Sequence, residues 1–355
     1  MINSKEIAKI AGVSRSTVSR VINNYPNVPQ RTKEKVLKVI REYNYRPNFS
    51  AKVLSGKKTN TIGIFVVSLN PQGENTFKVN LFQNFYFGNT VDALIDISNA
   101  NGYYSLVQII YKKDGVSKLV DIFAENRFDG GIIIGLDRKD PVVFEVAKVG
   151  LPFVLIHYDE EYLLKNLPEK SKVGLVNSMD YEAGRQATEY LISLGHRQIG
   201  FISGRFTNYS TFERWRGYLE IMKKHSLEIK KEFFIRGDYL LYKTEMELNK
   251  LIKTGNLPTA FVVCNDDMAL ITINVLKSNG IKVPDDVSVI SFDNNSLSEY
   301  SSPPLTTFKL PVYEMSERAF NIITKLIDSG KYQEKTFIYN MPMPLIHRES
   351  CKAVK

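Results

Sequence analysis

Two patterns of hydrophobic and polar positions divide the chain. In the first, apolar side chains recur at helical intervals. Ile7, Ala8 and Ile10 give a short amphipathic helix that Ser4 can cap and Gly12 can end in a tight turn. Ser14 then caps a second helix in which Val18, Val21 and Ile22 fall at i, i+3 and i+4 and point inward, leaving Arg15, Ser16, Ser19, Arg20 and Asn23 outward. A third helix from about Thr32 buries Val36, Val39, Ile40 and Tyr43. The spacing predicts a three-helix core with its second helix exposed, an all-α helix-turn-helix unit.

From Thr61 the pattern changes to short β-branched and aromatic runs separated by helical stretches. Candidate strands are Ile62–Val67, Tyr104–Ile110, Gly130–Ile134, Phe153–Ile156, Val173–Val176, Ile199–Ile202, Ala260–Val263 and Val287–Ser291, with amphipathic stretches such as Tyr181–Leu194 and Met268–Asn279 between them. Continuous apolar runs joined through helices predict parallel sheets with crossover connections, hence an α/β fold. So many strands exceed one sheet's comfortable share. Two lobes follow, with a cleft where strand carboxyl ends meet helix N-termini.

Charge separates the same two regions. Thirteen of the 47 Lys and Arg residues but only three acids, Glu6, Glu34 and Glu42, lie in residues 1–58, so this stretch carries +10 of a formal total of +9 and the remainder carries −1. A basic helix-turn-helix joined to a neutral module is the electrostatic footprint of a protein that grips phosphates. The first half of the second helix can enter the major groove, which makes Arg15, Ser16 and Arg20 candidate base readers. Lys5, Thr17, Ser19, Asn23 and Arg31 suit phosphates, which fix register without carrying sequence information.

Other chemistries find no support in the sequence. Cys264 and Cys351 stand far apart, and His157, His196, His225 and His347 occur singly, so no metal site is expected. Ser55-Gly56-Lys57-Lys58-Thr59 lacks the upstream glycine and strand of a phosphate loop, and no nucleophile has a base within reach along the sequence. Neither catalysis nor a cofactor is expected. The N-terminus has no apolar export core and no segment approaches a membrane span, so a cytoplasmic protein that neither crosses a membrane nor serves as an exported transport component is expected.

The run from Ile7 to Asn23, IAKIAGVSRSTVSRVIN, followed by Tyr45-Arg46-Pro47-Asn48, closely resembles the headpiece of the LacI/GalR family of bacterial transcription regulators. The resemblance extends through Ser193-Leu194-Gly195-His196-Arg197-Gln198-Ile199, Asn265-Asp266-Asp267-Met268-Ala269, the stretch from Val283 to Asp293, and Pro304-Leu305-Thr306-Thr307. It implies a headpiece over residues 1–46, a hinge over 47–58 that becomes helical on operator DNA, and an effector domain over 59–355 resembling periplasmic sugar-binding proteins. Its N-lobe would take about 59–172 and 311–338, and its C-lobe about 173–308 and 340–350. In the hinge, Asn48, Ala51 and Leu54 would meet DNA, Leu54 as the wedge in the central minor-groove step.

For the cleft, the resemblance implies Arg214 as the effector-binding arginine, Asp293 as its acidic partner, Asp137 and Asn265 as lining groups and Tyr239 as the stacking aromatic. Guanidinium forks and carboxylates of this kind suit a neutral polyol better than a phosphate. Leu310 stands where one sugar-responsive branch has a glutamine. The polar segment Ser68–Gln83 reads as a surface loop or as a lid that brings Phe85 or Phe87 to the cleft, and Trp215 beside Arg214 reads as core packing or as a reporter of ligand. The expected protein is a homodimeric repressor of carbohydrate-utilisation genes, bound to a pseudo-palindromic operator and controlled by a mono- or disaccharide. A phosphorylated carrier protein acting as corepressor is the alternative.

Overall fold

The apolar stripes close one core in a unit spanning Met1–Thr59 and two in a unit spanning Asn60–Lys355. The computed structural model describes residues 2–22, 25–45, 58–68, 84–111, 115–329 and 336–354. In the first unit α1 (Ser4–Ile10), α2 (Arg15–Ile22) and α3 (Gln30–Glu42) pack around Ile7, Ala8, Ala11, Val18, Val21, Val36 and Val39. Two helix starts differ from the expectation. Asn3, not Ser4, begins α1, in a reciprocal capping box with Glu6, and α3 starts at Gln30 rather than Thr32. Ser14 does cap α2, accepting from Thr17 N at 3.1 Å. Ile10 and Tyr43 are exposed, because Ala11 and Tyr45 take the core positions beside them.

The second unit holds two six-stranded sheets. The first contains β1 (Thr61–Ser68), β2 (Tyr104–Tyr111), β3 (Gly130–Ile134), β4 (Phe153–Ile156), β5 (Val173–Ser178) and β11 (Phe337–Met341), in the order β11-β5-β4-β3-β1-β2 with all pairs parallel. The second contains β6 (Ile199–Ser203), β7 (Phe234–Arg236), β8 (Ala260–Val263), β9 (Ser288–Asp293), β10 (Thr306–Lys309) and β12 (Leu345–Ile346), in the order β12-β10-β9-β8-β6-β7 with only β12 antiparallel. The connecting helices are α4 (Phe85–Ala100), α5 (Lys118–Ala124), α6 (Val142–Val149), α7 (Glu160–Asn166), α8 (Asp180–Ser193), α9 (Tyr209–Lys224), α10 (Leu241–Ile252), α11 (Asp266–Ser278) and α12 (Val312–Asp328). No described helix is long and apolar enough to cross a membrane.

Strand pairing corrects the lobe boundaries. Val173–Ser178 pairs with β4 and β11, so it belongs to the N-lobe sheet and the chain crosses to the second lobe only after Ser178. Likewise β11 runs to Met341 in the first sheet, and the last crossing lies between Met341 and Leu345 instead of at 339. Fully apolar strands look alike in sequence whichever sheet they join, so periodicity could not assign them. The intervening crossing contains Leu310 and Pro311, after which α12 packs on α4 and on the N-lobe strands.

Two glycines set the packing of the helices that open the second lobe. A Cβ on Gly184 of α8 would lie 2.4 Å from the Arg214 carbonyl oxygen, and one on Gly217 of α9 would lie 2.3 Å from that of Tyr181. Backbone therefore meets backbone between α8 and α9, which brings Arg214 to the first turn of α8.

Candidate functional site

On the first unit, Arg15, Ser16, Ser19 and Arg20 of α2 are exposed, as are Lys5 of α1 and Arg31 of α3. Thr17 is half-buried, its hydroxyl 2.8 Å from Ser14 Oγ, and Ser16 Oγ approaches the same oxygen at 2.6 Å. One capping serine thus orders the hydroxyls of the first helical turn. Arg15 Nε donates to Ser4 Oγ at 3.1 Å, which steers the guanidinium along α1. Asn23, Asn48, Ala51 and Leu54 lie outside the described residues, as do 69–83 of the suggested lid.

In the second unit a cavity of about 110 Å³ lies between the sheets. Its wall is built from strand carboxyl ends: Gly135 and Leu136 follow β3, His157 follows β4, Arg205 follows β6, Tyr239 follows β7, Asn265 follows β8, and Asp293 ends β9. Phe87 of α4 and Leu310 of the middle crossing complete the apolar part. His157, Tyr239 and Asp293 have φ of 62°, 62° and 114°, values that side chains seldom adopt. Such strain persists where the surroundings hold it, and here it aims three side chains at one space.

Arg214 is the most constrained group in this wall. Its Nε donates to Asp180 Oδ1 at 2.7 Å, Nη2 lies 2.7 Å from the same oxygen, and Nη1 donates to the Cys264 carbonyl. The guanidinium carbon stands 4.3 Å from the Phe292 ring centroid. Asp293, expected as its acidic partner, approaches only to 4.0 Å. Burial pushes the Asp293 carboxyl well above the usual carboxylate range, and Arg214 opposes that shift. Asp180, which the sequence reading did not single out, is therefore the counter-ion proper, and it also accepts from Ser178 at 2.6 Å and Ser210 at 3.1 Å.

A directed chain of hydrogen bonds leads to that carboxylate. Ser178 donates to Asp180, so its oxygen must accept from His157 Nε2 at 2.7 Å, and His157 Nδ1 is left to accept from the Tyr86 hydroxyl at 2.8 Å. The imidazole is neutral: burial, with help from Arg214 and against Asp180, lowers its pKa to about 4. Burial likewise raises the Tyr86 phenol.

The other expected residues divide. Tyr239 lines the cavity, its ring seated where a Gly204 side chain would be and its hydroxyl 2.7 Å from Thr211 Oγ1. Asn265 lines it too, while its Oδ1 accepts from Met268 N at 3.1 Å as the cap of α11. Asp266, next in sequence, turns away and gathers Thr307, Asn295 and Ser298 at 2.6, 2.8 and 3.0 Å. Phe87 faces the cavity, but Phe85 faces a neighbouring hollow with Leu310 and Tyr313. Asp137 is not in the cavity wall; Gly135 and Leu136 stand there instead. Trp215 packs among Phe201, Phe206, Tyr218 and Phe234, at ring separations of 5.0–6.1 Å. Tyr86, His157, Arg205 and Asn208 are wall residues that the sequence reading missed. No group of three or more metal-ligating side chains gathers among the described residues.

Comparison with known proteins decides the lineage. Residues 4–48 match the family of bacterial regulatory proteins, lacI family, and 188–351 match the periplasmic binding protein-like domain. The HTH-type transcriptional repressor PurR of Vibrio parahaemolyticus is 33% identical over 341 residues, 95% of each chain. The "Probable HTH-type transcriptional repressor ExuR" of Bacillus subtilis is 30% identical over 343 residues, 96% of each. The chain belongs to the lacI family of bacterial regulatory proteins. This lacI-family chain also shares its fold with a solved complex of the transcriptional regulator CelR with cellobiose, at 26% identity and TM-score 0.71 over 99% of this chain and 100% of that one. The lac repressor dimer bound to operator and the anti-inducer ONPF superimposes with TM-score 0.81 at 23% identity over 99% of each chain. The family is one of DNA-binding transcriptional repressors, not enzymes, and the comparisons do not favour the carrier-protein corepressor.

Proposed function

We infer that this repressor controls carbohydrate-utilisation genes and that a small sugar-like molecule, bound between the lobes, sets its affinity for operator DNA. The observation that carries the reading is the cavity wall, where Arg214 is locked by Asp180 beside the rings of Phe87 and Tyr239 and the polar groups of Asn265 and Asp293. Rigid forks beside aromatic faces suit a ring that is apolar on its faces and hydroxylated at its edge. A cavity of about 110 Å³ can hold several waters that a small ligand would replace. A relative of the same fold holds cellobiose.

The DNA-binding form is a homodimer on a two-fold-symmetric operator, as in the lac repressor dimer complex. Arg15, Ser16 and Arg20 read bases, Lys5, Thr17, Ser19, Asn23 and Arg31 hold phosphates, and Asn48, Ala51 and Leu54 act in the hinge. Effector binding must favour one lobe arrangement to change operator affinity. A panel of neutral and acidic monosaccharides and of disaccharides, screened by thermal shift and then in operator gel-shift titrations, tests the reading. At least one member should raise the melting midpoint and change operator affinity; a panel that moves neither sinks it.

A further inference from the structure

The cavity wall holds two polar groups for which the protein supplies no partner. Arg205 Nε and Asn208 Oδ1 are both buried and both lack a hydrogen bond among the described residues, and both residues line the cavity. Arg214, the other guanidinium in the wall, is matched by Asp180 at 2.7 Å. Arg205 forms no ion pair among the described residues. Asp137 and Asp238 act on it only through space, and Asp238 is already engaged by Lys243. A guanidinium stays charged at neutral pH even where burial opposes it. The wall therefore presents one half-buried guanidinium, its Nε buried, with no ion-pair partner among the described residues, and desolvating such a cation unmatched is disfavoured.

The start of α9 adds to the same field. Asn208 precedes this helix without capping it by its side chain, and Tyr209 and Ser210 of the first turn line the cavity beside Arg205. Free N–H groups and the positive end of the helix dipole favour an anion there. Single charge matters for the choice of anion, because Asp267 and Asp293 stand in the same wall and a phosphate dianion would face them with one unmatched cation.

We propose that the effector is a sugar carboxylate, a uronic or aldonic acid, whose carboxylate accepts from Arg205 while an adjacent hydroxyl donates to Asn208 Oδ1. This rests on the sugar-cleft reading and narrows its ligand class. Arg214 and Asp293 then serve the hydroxyls, and Arg205 is the residue that separates an acid from its neutral parent sugar.

Isothermal titration of the full chain with D-galacturonate, D-glucuronate and D-gluconate, each beside galactose, glucose and glucose 6-phosphate, tests the proposal. At least one acid should bind roughly ten- to hundredfold more tightly than its neutral parent, the ratio expected for a charge-assisted hydrogen bond. In Arg205→Gln that preference should fall to within about threefold, with Arg205→Lys between the two. Trp215 fluorescence and the melting midpoint verify that the variants are folded, and Asn208→Ala, which keeps the cation, should weaken the acid while leaving it preferred. Neutral sugars binding as well as the acids, tighter binding of the sugar phosphate, or an undiminished preference in Arg205→Gln would each overturn the carboxylate and leave the sugar cleft standing. Absence of binding by every compound would overturn both.

Discussion

Removing the charge of Asp180 and removing Arg214 together should destabilise the second unit by less than the sum of the two separate losses. The two side chains are 0% and 3% exposed and meet through contacts of 2.7 Å, with Ser178 and Ser210 donating to the other carboxylate oxygen. Asp180→Asn leaves the Arg214 guanidinium buried with only Asp293, 4.0 Å away, to balance it. Stranding a buried charge costs about 3–5 kcal/mol. Asp293 can recover only part of this, since a pair at that distance is worth at most about 4 kcal/mol at an effective dielectric of 20, and the desolvation that raises its carboxyl is subtracted from that. A net loss of about 2–4 kcal/mol is expected. Urea unfolding read through Trp215, which packs in the second lobe, gives the value for Asp180→Asn, Arg214→Met and the double variant. The double variant should recover about 1–3 kcal/mol relative to the sum of the single losses. Additivity within about 0.5 kcal/mol would show that the pair is not an energetic unit and refute the assignment of Asp180 as the counter-ion.

Three further outcomes follow from other contacts. His157, depressed from 6.5 to about 4, binds fewer protons in the fold than when unfolded, so its contribution is complete above pH 6.5 and is lost as pH falls towards 4. Burial raises Asp266 to about 6, which works in the opposite sense over that window, so the readout is the difference between wild type and His157→Gln, whose stability should fall less on acidification by about 2–4 kcal/mol; parallel curves would contradict a buried neutral imidazole. Gly184→Ala should destabilise by about 1–3 kcal/mol in urea, since its Cβ meets backbone and not a movable side chain, and an unchanged midpoint would show that α8 and α9 can separate freely. Arg20→Ala should weaken operator binding by about 1–3 kcal/mol more than random-sequence binding, whereas Lys5→Ala should weaken both alike and lower the salt slope by about one; gel shifts at several salt concentrations separate the two roles.

The sequence carried the fold more fully than the site. Strands such as Gly130–Ile134 and Ala260–Val263 are continuous buried runs, and their apolar character declared them. The short β7, β10 and β12 have too few residues for periodicity to register, and β10 and β12 flank crossings between the lobes. In the cleft, resemblance placed Arg214, Tyr239, Asn265 and Asp293, yet Asp180 in sequence is an ordinary acid in a helical first turn. Its significance lies in a partner 34 residues away, and the Tyr86–His157 pair spans 71. Arg205 reads as a loop residue until burial shows its Nε without an acceptor. Phe85 and Phe87 are two residues apart, so the helical advance of about 100° per residue turns them about 200° from one another and sends them to different hollows.

Coupling between ligand and lobes needs contacts that differ in energy between the two lobe arrangements. The described arrangement is held partly without ligand: Arg138 N donates to Thr207 O at 2.7 Å, the Arg138 guanidinium stands 3.5 Å from the Phe212 ring centroid, and His157 stacks on Tyr209 at 6.0 Å. Each of these joins an N-lobe loop to the second lobe. Against them stand Arg205 Nε and Asn208 Oδ1, which are buried and unbonded in this arrangement. An orphaned buried group costs about 1–3 kcal/mol, so the two together oppose this arrangement without ligand by about 2–6 kcal/mol, comparable with or larger than typical allosteric coupling energies. A ligand that supplies an acceptor to one and a donor to the other removes this opposition, and its binding energy then appears as a shift of the lobe equilibrium. A ligand of the proposed class would thus favour the described arrangement through the same two atoms that narrow its chemistry.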